Sequence, residues 1–136
     1  ERISKLSNVI SINGGVQLDL MGQENAESTG TRQLSGVGGQ MDFLEGAYRS
    51  KGGKGFICIN SSRVTKDGER KSNILATIPG GSTISAPRTM IQYVATEYGI
   101  ASLSGKTLRE RAEAMAAIAH PDFREELMKY ARENFK

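Results

Sequence analysis

Ser35-Gly36-Val37-Gly38-Gly39-Gln40-Met41-Asp42-Phe43-Leu44-Glu45-Gly46-Ala47 is the stretch whose reading decides the fold. Three glycines in four residues strip side-chain bulk from the backbone, and Met41, Leu44 and Ala47 or Tyr48 then recur at helical spacing. The pattern predicts a loop running straight into a helix that ends near Tyr48. The first turn of a helix carries N–H groups without intrahelical acceptors and a partial positive charge, so an oxyanion, phosphate or carboxylate beside Gly38 and Gly39 would be stabilised. Taken alone, these residues fit equally well a tight turn whose glycines only relieve crowding.

Working outward toward the amino end, Asn8-Val9-Ile10-Ser11-Ile12 reads as a short buried strand, Asn13-Gly14-Gly15 as a turn, and Val16-Gln17-Leu18-Asp19-Leu20 as a second strand, so a hairpin is the local expectation. Residues 21–35 are polar and small without periodicity, the composition of a functional or positioning loop. Downstream, Lys51-Gly52-Gly53-Lys54 lacks phosphate-loop spacing and precedes a strand, Gly55 to Asn60, rather than a helix. Cys58 within it reads as a small core hydrophobe. Arg63, Lys66, Arg70 and Lys71, broken by Asp67-Gly68, mark a hairpin tip or exposed loop, either solvated or in contact with a ligand phosphate. A strand follows over Asn73 to Ile78 and, after Pro79-Gly80-Gly81, another over Met90 to Thr96, which delivers Glu97 at its carboxyl end. In open α/β sheets ligands gather beyond that end, so Glu97 is a candidate site residue; the alternative is a helix cap or surface group.

The tail is helical. Thr107-Leu108-Arg109-Glu110 has capping-box spacing, and Leu108, Ala112, Met115 and Ala119 mark one face of a helix stopping near His120-Pro121. Pro121 suits the first turn of a second helix faced by Phe123, Leu127, Tyr130 and Ala131. His120 is the only histidine and reads as a helix-junction residue; with one cysteine besides, there is no zinc-type cluster and no supported Ser-His-Asp set.

Composition narrows the function classes. The 136 residues suit one domain or part of one. A net charge of +3 with 6% aromatics and no Trp gives no concentrated basic face or stacking platform for nucleic acid. No run reaches the ~18 apolar residues of a membrane span, and the amino end lacks a signal-peptide pattern. A single cysteine allows no internal disulfide, so a reducing, cytoplasmic setting is expected. The chain opens on Glu1 instead of Met, and further sequence upstream is expected.

Four ordered motifs, VQLDLMGQENAES at 16–28, SGVGGQMDFLEGA at 35–47, TEYGIASLSGKTLRERA at 96–112 and IAHPDFREEL at 118–127, resemble the carboxyl-terminal domain of the acetyl-CoA hydrolase/transferase family, which includes 4-hydroxybutyrate and butyryl-CoA:acetate CoA-transferases. The likeness runs from about Val9 to about Lys129. It implies an α/β domain over 1–136, an open twisted sheet of the CoA-transferase type with flanking helices and a C-terminal helical pair, packed on a missing amino-terminal domain. It also implies a homo-oligomer, and coenzyme A or acyl-CoA and a short-chain carboxylate as substrates, with no permanently bound cofactor. In the family an upstream glutamate attacks the acyl-CoA carbonyl and passes through an anhydride to a glutamyl-CoA thioester. No glutamate here matches that motif, so the fragment alone is expected to be inactive.

By the same resemblance Gly39 supplies an N–H to the thioester oxyanion, Gly38 permits the turn, Val16 lies near bound CoA, Arg70 or Lys71 meets CoA phosphates, and Glu97 of T-E-x-G supports the catalytic centre. Two positions depart from the pattern. Gly14-Gly15 stands where relatives carry a small hydroxyl residue and alanine, which would widen the acyl pocket, and Asn73 stands where many carry arginine. An acyl-CoA hydrolase shares the same intermediate, and a non-catalytic CoA-binding or assembly domain is the alternative of another class.

Overall fold

The computed structural model describes residues 2–136. After a single 3-10 turn at Ile3–Lys5, strand β1 (Ile10–Gly14) enters a four-stranded sheet with β6 (Lys54–Cys58), β10 (Tyr93–Thr96) and β11 (Gly99–Ser102), in the order β1-β6-β10-β11. The first three run parallel and β11 folds back antiparallel on β10. A second sheet, in the order β3-β2-β9, joins β2 (Gln17–Asp19), β3 (Glu24–Asn25) and β9 (Ile74–Leu75). Two-residue strands β4 (Ser28–Thr29) and β5 (Arg32–Gln33) form one ribbon, and β7 (Ser62–Val64) and β8 (Arg70–Ser72) another. The helices are α1 (Gln40–Arg49), α2 (Leu108–Ala117) and α3 (Pro121–Asn134).

The expected hairpin between the first two strands does not form. β1 pairs with β6 and β2 with β3 and β9, so Gly14-Gly15 marks a change of sheet. The first strand is not buried either: Ile12 is 69% exposed, and Ser11 is its one buried residue. Register explains this. Ile10 and Ile12 share a face with Phe56, Tyr93 and Ile100, and that face is uncovered, while Ser11, Ile57, Val94 and Ala101 point to the helices. Phe56 and Tyr93 stack across it at 4.8 Å. Cys58, on the same face, is exposed, contrary to its reading as a core residue.

The covered face packs on Leu44 of α1 and on Ala112, Met115 and Ala116 of α2, in one cluster with Leu18, Leu20, Ile74 and Leu103. Fully burying each large aliphatic chain there is worth about 1.5–3 kcal/mol. The tail matches its sequence signals. Thr107 and Glu110 form the reciprocal capping box of α2, Pro121 opens α3, and the His120 ring accepts from the Asp122 N–H at the junction.

The loop after β2 is held by buried polar groups in place of a hydrophobic stripe. Asp19 accepts from the Met21 and Gln23 N–H groups, and the Asn25 side chain accepts from the Glu27 and Ser28 N–H groups while donating to the Ser28 carbonyl. Buried Arg111 on α2 donates to the carbonyls of Met21, Leu103 and Arg88, tying this loop to the helical tail. No helix among the described residues is long and apolar enough to cross a membrane.

Candidate functional site

Because β1, β6 and β10 are parallel, their carboxyl ends share one edge of the sheet, where open α/β proteins take ligands. An open cleft of about 430 Å³ lies there, lined by Gly15, Cys58, Ile59, Asn60, Ala95 and Thr96. Glu97 follows β10 immediately, on the two-residue turn into β11. Its carboxylate is gripped from the end of β6: the Ser61 hydroxyl donates to Oε1 at 2.6 Å and the Ser61 N–H to Oε2 at 2.9 Å. Partial loss of water pushes its pKa up. The two Ser61 hydrogen bonds, a backbone N–H and the nearby His120 together outweigh that, and hold Glu97 below the ordinary carboxylate value. It therefore stands at the cleft edge as an oriented, exposed anion, and not as a helix cap.

The glycine turn leads into α1 as the sequence implied. Gly38 has φ +58°, a conformation that L side chains seldom adopt, and Gly39 is the N-cap of α1. Gly39 itself has φ −98° and ψ 10°, open to any residue, and a Cβ there would meet only the Phe43 ring, at an ordinary 3.6 Å. Folding within this chain does not demand glycine at 39. Among the described residues nothing accepts from its N–H, which leaves the donor available at the positive end of the helix.

Val16 is half-buried on the corner between the two sheets, and its N–H is already committed to the Asn25 carbonyl at 2.9 Å, so an approaching ligand meets its other atoms. Gly14 faces open space. At Gly15 the room is taken: a Cβ would lie 2.5 Å from Oε1 of Glu24. A carboxyl fills the volume that sequence reasoning assigned to a wider acyl pocket. The Glu24 side chain, fully buried on β3, is raised by desolvation to about 7 against a lowering hydrogen bond from Gln40, the first residue of α1. Sequence reasoning passed over Glu24 because an acidic residue in a polar loop reads as solvated. The signal was its pairing with an unusual glycine nine positions earlier.

The basic segment is the β7–β8 hairpin, as expected from its turn residues. Its register sets Arg63 opposite Lys71 and Val64 opposite Arg70, so Arg70 and Lys71 project from opposite faces and cannot serve one phosphate group together. Lys71 pairs with Glu69 at 3.2 Å, and Arg70 donates to the Ser62 hydroxyl. Asn73 anchors the hairpin to the cleft, accepting from Arg63 and donating to the Asn60 carbonyl. The structure thus gathers Gly15–Val16, Asn60–Ser61 and Glu97 on one edge and links Gly39 to them through Gln40 and Glu24. The tips of Arg70 and Lys71 lie out on the ribbon.

The model of the acetyl-CoA hydrolase/transferase C-terminal domain matches residues 1–131. The chain is 49% identical over 130 residues to a butyryl-CoA:acetate CoA-transferase of Anaerostipes caccae, covering 96% of this chain and 29% of the relative. Against a 4-hydroxybutyrate coenzyme A transferase of Clostridium kluyveri it is 50% identical over 133 residues, covering 98% and 30%. Among solved structures, RipA from Yersinia pestis superposes with a TM-score of 0.83 at 40% identity over 96% of this chain and 29% of that one. The chain therefore spans under a third of the length of these relatives. Matched along nearly its whole length, it belongs to the acetyl-CoA hydrolase/transferase family, as the carboxyl-terminal domain.

Proposed function

We propose that residues 1–136 form the carboxyl-terminal domain of an acyl-CoA:carboxylate CoA-transferase acting on short-chain acids, whose nucleophilic glutamate comes from sequence upstream. That glutamate attacks the thioester carbonyl, and the tetrahedral intermediate expels CoA thiolate to leave an acyl-glutamyl anhydride. The thiolate then attacks the glutamyl carbonyl, releasing the first carboxylate and forming a glutamyl-CoA thioester. A second carboxylate attacks this thioester, and the returning thiolate takes the new acyl group.

The observation that carries the reading is Gly39. Its N–H is without an acceptor among the described residues, sits at a helix N-terminus, and follows a glycine with φ +58° on a turn where the fold does not itself require a second glycine. Negative charge grows on the thioester oxygen in the transition state, so an oriented donor there lowers the barrier selectively. Glu97, fixed by Ser61, supports the nucleophile or positions the carboxylate substrate. Val16 and Gly38 shape the corner where CoA lies, and Lys71 and Arg70, on opposite faces of the hairpin, are alternative cationic contacts for its phosphates. Coenzyme A and acyl-CoA act as substrates, with no resident cofactor. We further read the protein as a cytoplasmic homo-oligomer in which an amino-terminal domain completes the site.

The test is intact-mass spectrometry of the full-length protein incubated with acyl-CoA without an acceptor, followed by addition of acetate. A CoA-sized adduct that discharges to acetyl-CoA supports the transferase. Loss of the adduct to free CoA without acetate would indicate a hydrolase, and no adduct at all a binding domain.

A further inference from the structure

Glu24 is a fully buried carboxyl for which folding offers no reason. Its backbone is held on both sides: it pairs with Leu18 on β2, its N–H donates to the Ala86 carbonyl, and its carbonyl accepts from Ser85 and Ala86. The side chain then divides between two parts of the candidate site. Oε2 accepts from Nε2 of Gln40 at 2.5 Å. Oε1 is buried without a partner among the described residues and lies 2.5 Å from where a Cβ on Gly15 would be. An apolar side chain would avoid both the desolvation and the orphaned oxygen, so the carboxyl is held at a cost to stability.

What it reaches is the turn. Gln40 is peptide-bonded to Gly39 and begins α1, and among the described residues its bond to Glu24 is the only side-chain hydrogen bond to residues 36–40. The rest of that turn is loosely packed, with Gly36 and Gly38 facing open space and Leu34, Val37 and Phe43 about half exposed. We propose that Glu24 is a positioning residue for the Gly38–Gly39 turn, holding the start of α1 through Gln40 at a set distance from the Gly15–Val16 corner so that the Gly39 N–H is aimed at the cleft. The inference rests on Gly39 being the oxyanion donor. Misplacement of a catalytic group by about 1 Å can cost roughly 10²-fold in rate.

The experiment measures kcat, KM for acyl-CoA and Tm in the full-length enzyme for Glu24→Val, Glu24→Gln, Gly15→Ala and the Gly15→Ala/Glu24→Val pair. Glu24→Val should lower kcat by about tenfold or more, leave KM within about twofold, and leave Tm unchanged or raised. Glu24→Gln, which keeps an acceptor of the same length for Gln40, should restore most of kcat. Gly15→Ala should depress kcat by displacing the carboxyl, but add less than about twofold once Glu24 is valine, a coupling expected only of groups in contact. Should Glu24→Val not fold, Gly15→Ala carries the test, and an unchanged kcat overturns the inference. So does a Glu24→Val enzyme at wild-type kcat, or a kcat that falls with Tm and is not rescued by glutamine. A wild-type enzyme that transfers no CoA overturns the transferase reading together with this one, whereas an active wild type with silent variants overturns this one alone.

Discussion

Replacing Gly39 with alanine separates the proposed oxyanion role from folding, because the fold has little stake in that residue. Its φ of −98° is accessible to alanine, and the added methyl would meet only Phe43, at 3.6 Å. The structural cost is the poorer N-capping of alanine relative to glycine, about 1 kcal/mol, or roughly 3–6 °C in Tm. The methyl sits on the carbon bonded to the donor nitrogen, however, and crowds a thioester oxygen that must come within hydrogen-bonding distance of the N–H. Losing one donor from an oxyanion hole costs about 2.7–4 kcal/mol, a 10²–10³-fold fall in kcat. Steady-state CoA transfer and thermal unfolding measured on the same full-length preparations compare the two effects directly. The expected outcome is a kcat lower by about 10²-fold with Tm lower by no more than the few degrees of the capping loss. A Gly39→Ala enzyme within about threefold of wild type would remove Gly39 from the transition state.

Other consequences follow from neighbouring groups. Glu97→Gln should lower turnover and leave the unfolding transition in place; because Glu97 titrates below the ordinary carboxylate value, activity that depends on it survives into mildly acidic solution, and Ser61→Ala should shift that acid limb to higher pH. An unshifted limb would mean that Ser61 does not set the ionisation. Glu24 has the opposite sign: its folded pKa of about 7 lies above the ordinary value of 4.5, so stability is complete at low pH and declines as pH rises through 7, by about 3 kcal/mol in all. Denaturant midpoints of wild type and Glu24→Gln between pH 5 and 8 should converge toward low pH and separate toward high pH, and parallel curves would contradict the assignment. Since Arg70 and Lys71 point to opposite faces, only one of Lys71→Ala and Arg70→Ala should raise KM for acyl-CoA with kcat unchanged, and equal effects would refute the face assignment.

Where the sequence was legible, the determinants were local. The Thr107–Glu110 box, Pro121 at the start of α3 and the glycines before Gln40 each act within one helical turn, and each sits where its spacing implied. The β7–β8 hairpin was legible for the same reason, being closed by its own Asp67-Gly68 tip. The missed features depend on partners far along the chain. Asn13-Gly14-Gly15 has the composition of a hairpin turn, yet β1 pairs forty-four residues downstream at Lys54, so local chemistry gave the bend but not the partner. Ile10 and Ile12 read as buried because apolar alternation reports a sheet face without telling whether anything covers it. The grip of Ser61 on Glu97 and that of Glu24 on Gln40 join segments 36 and 16 residues apart, and no periodicity encodes either.

The bare face of the four-stranded sheet also bears on engineering. Ile10, Ile12 and Ile100 project from both outer strands around the Phe56–Tyr93 stack, forming a flat apolar plate whose edges still offer backbone donors and acceptors. A free-standing version of this module would invite sheet-to-sheet stacking in a concentrated solution. Thr at 10 and Lys at 12 would retain strand compatibility while introducing charge at an edge, a redesign that breaks up the plate on β1 and leaves alone Ile100, which pairs with cleft-lining Ala95.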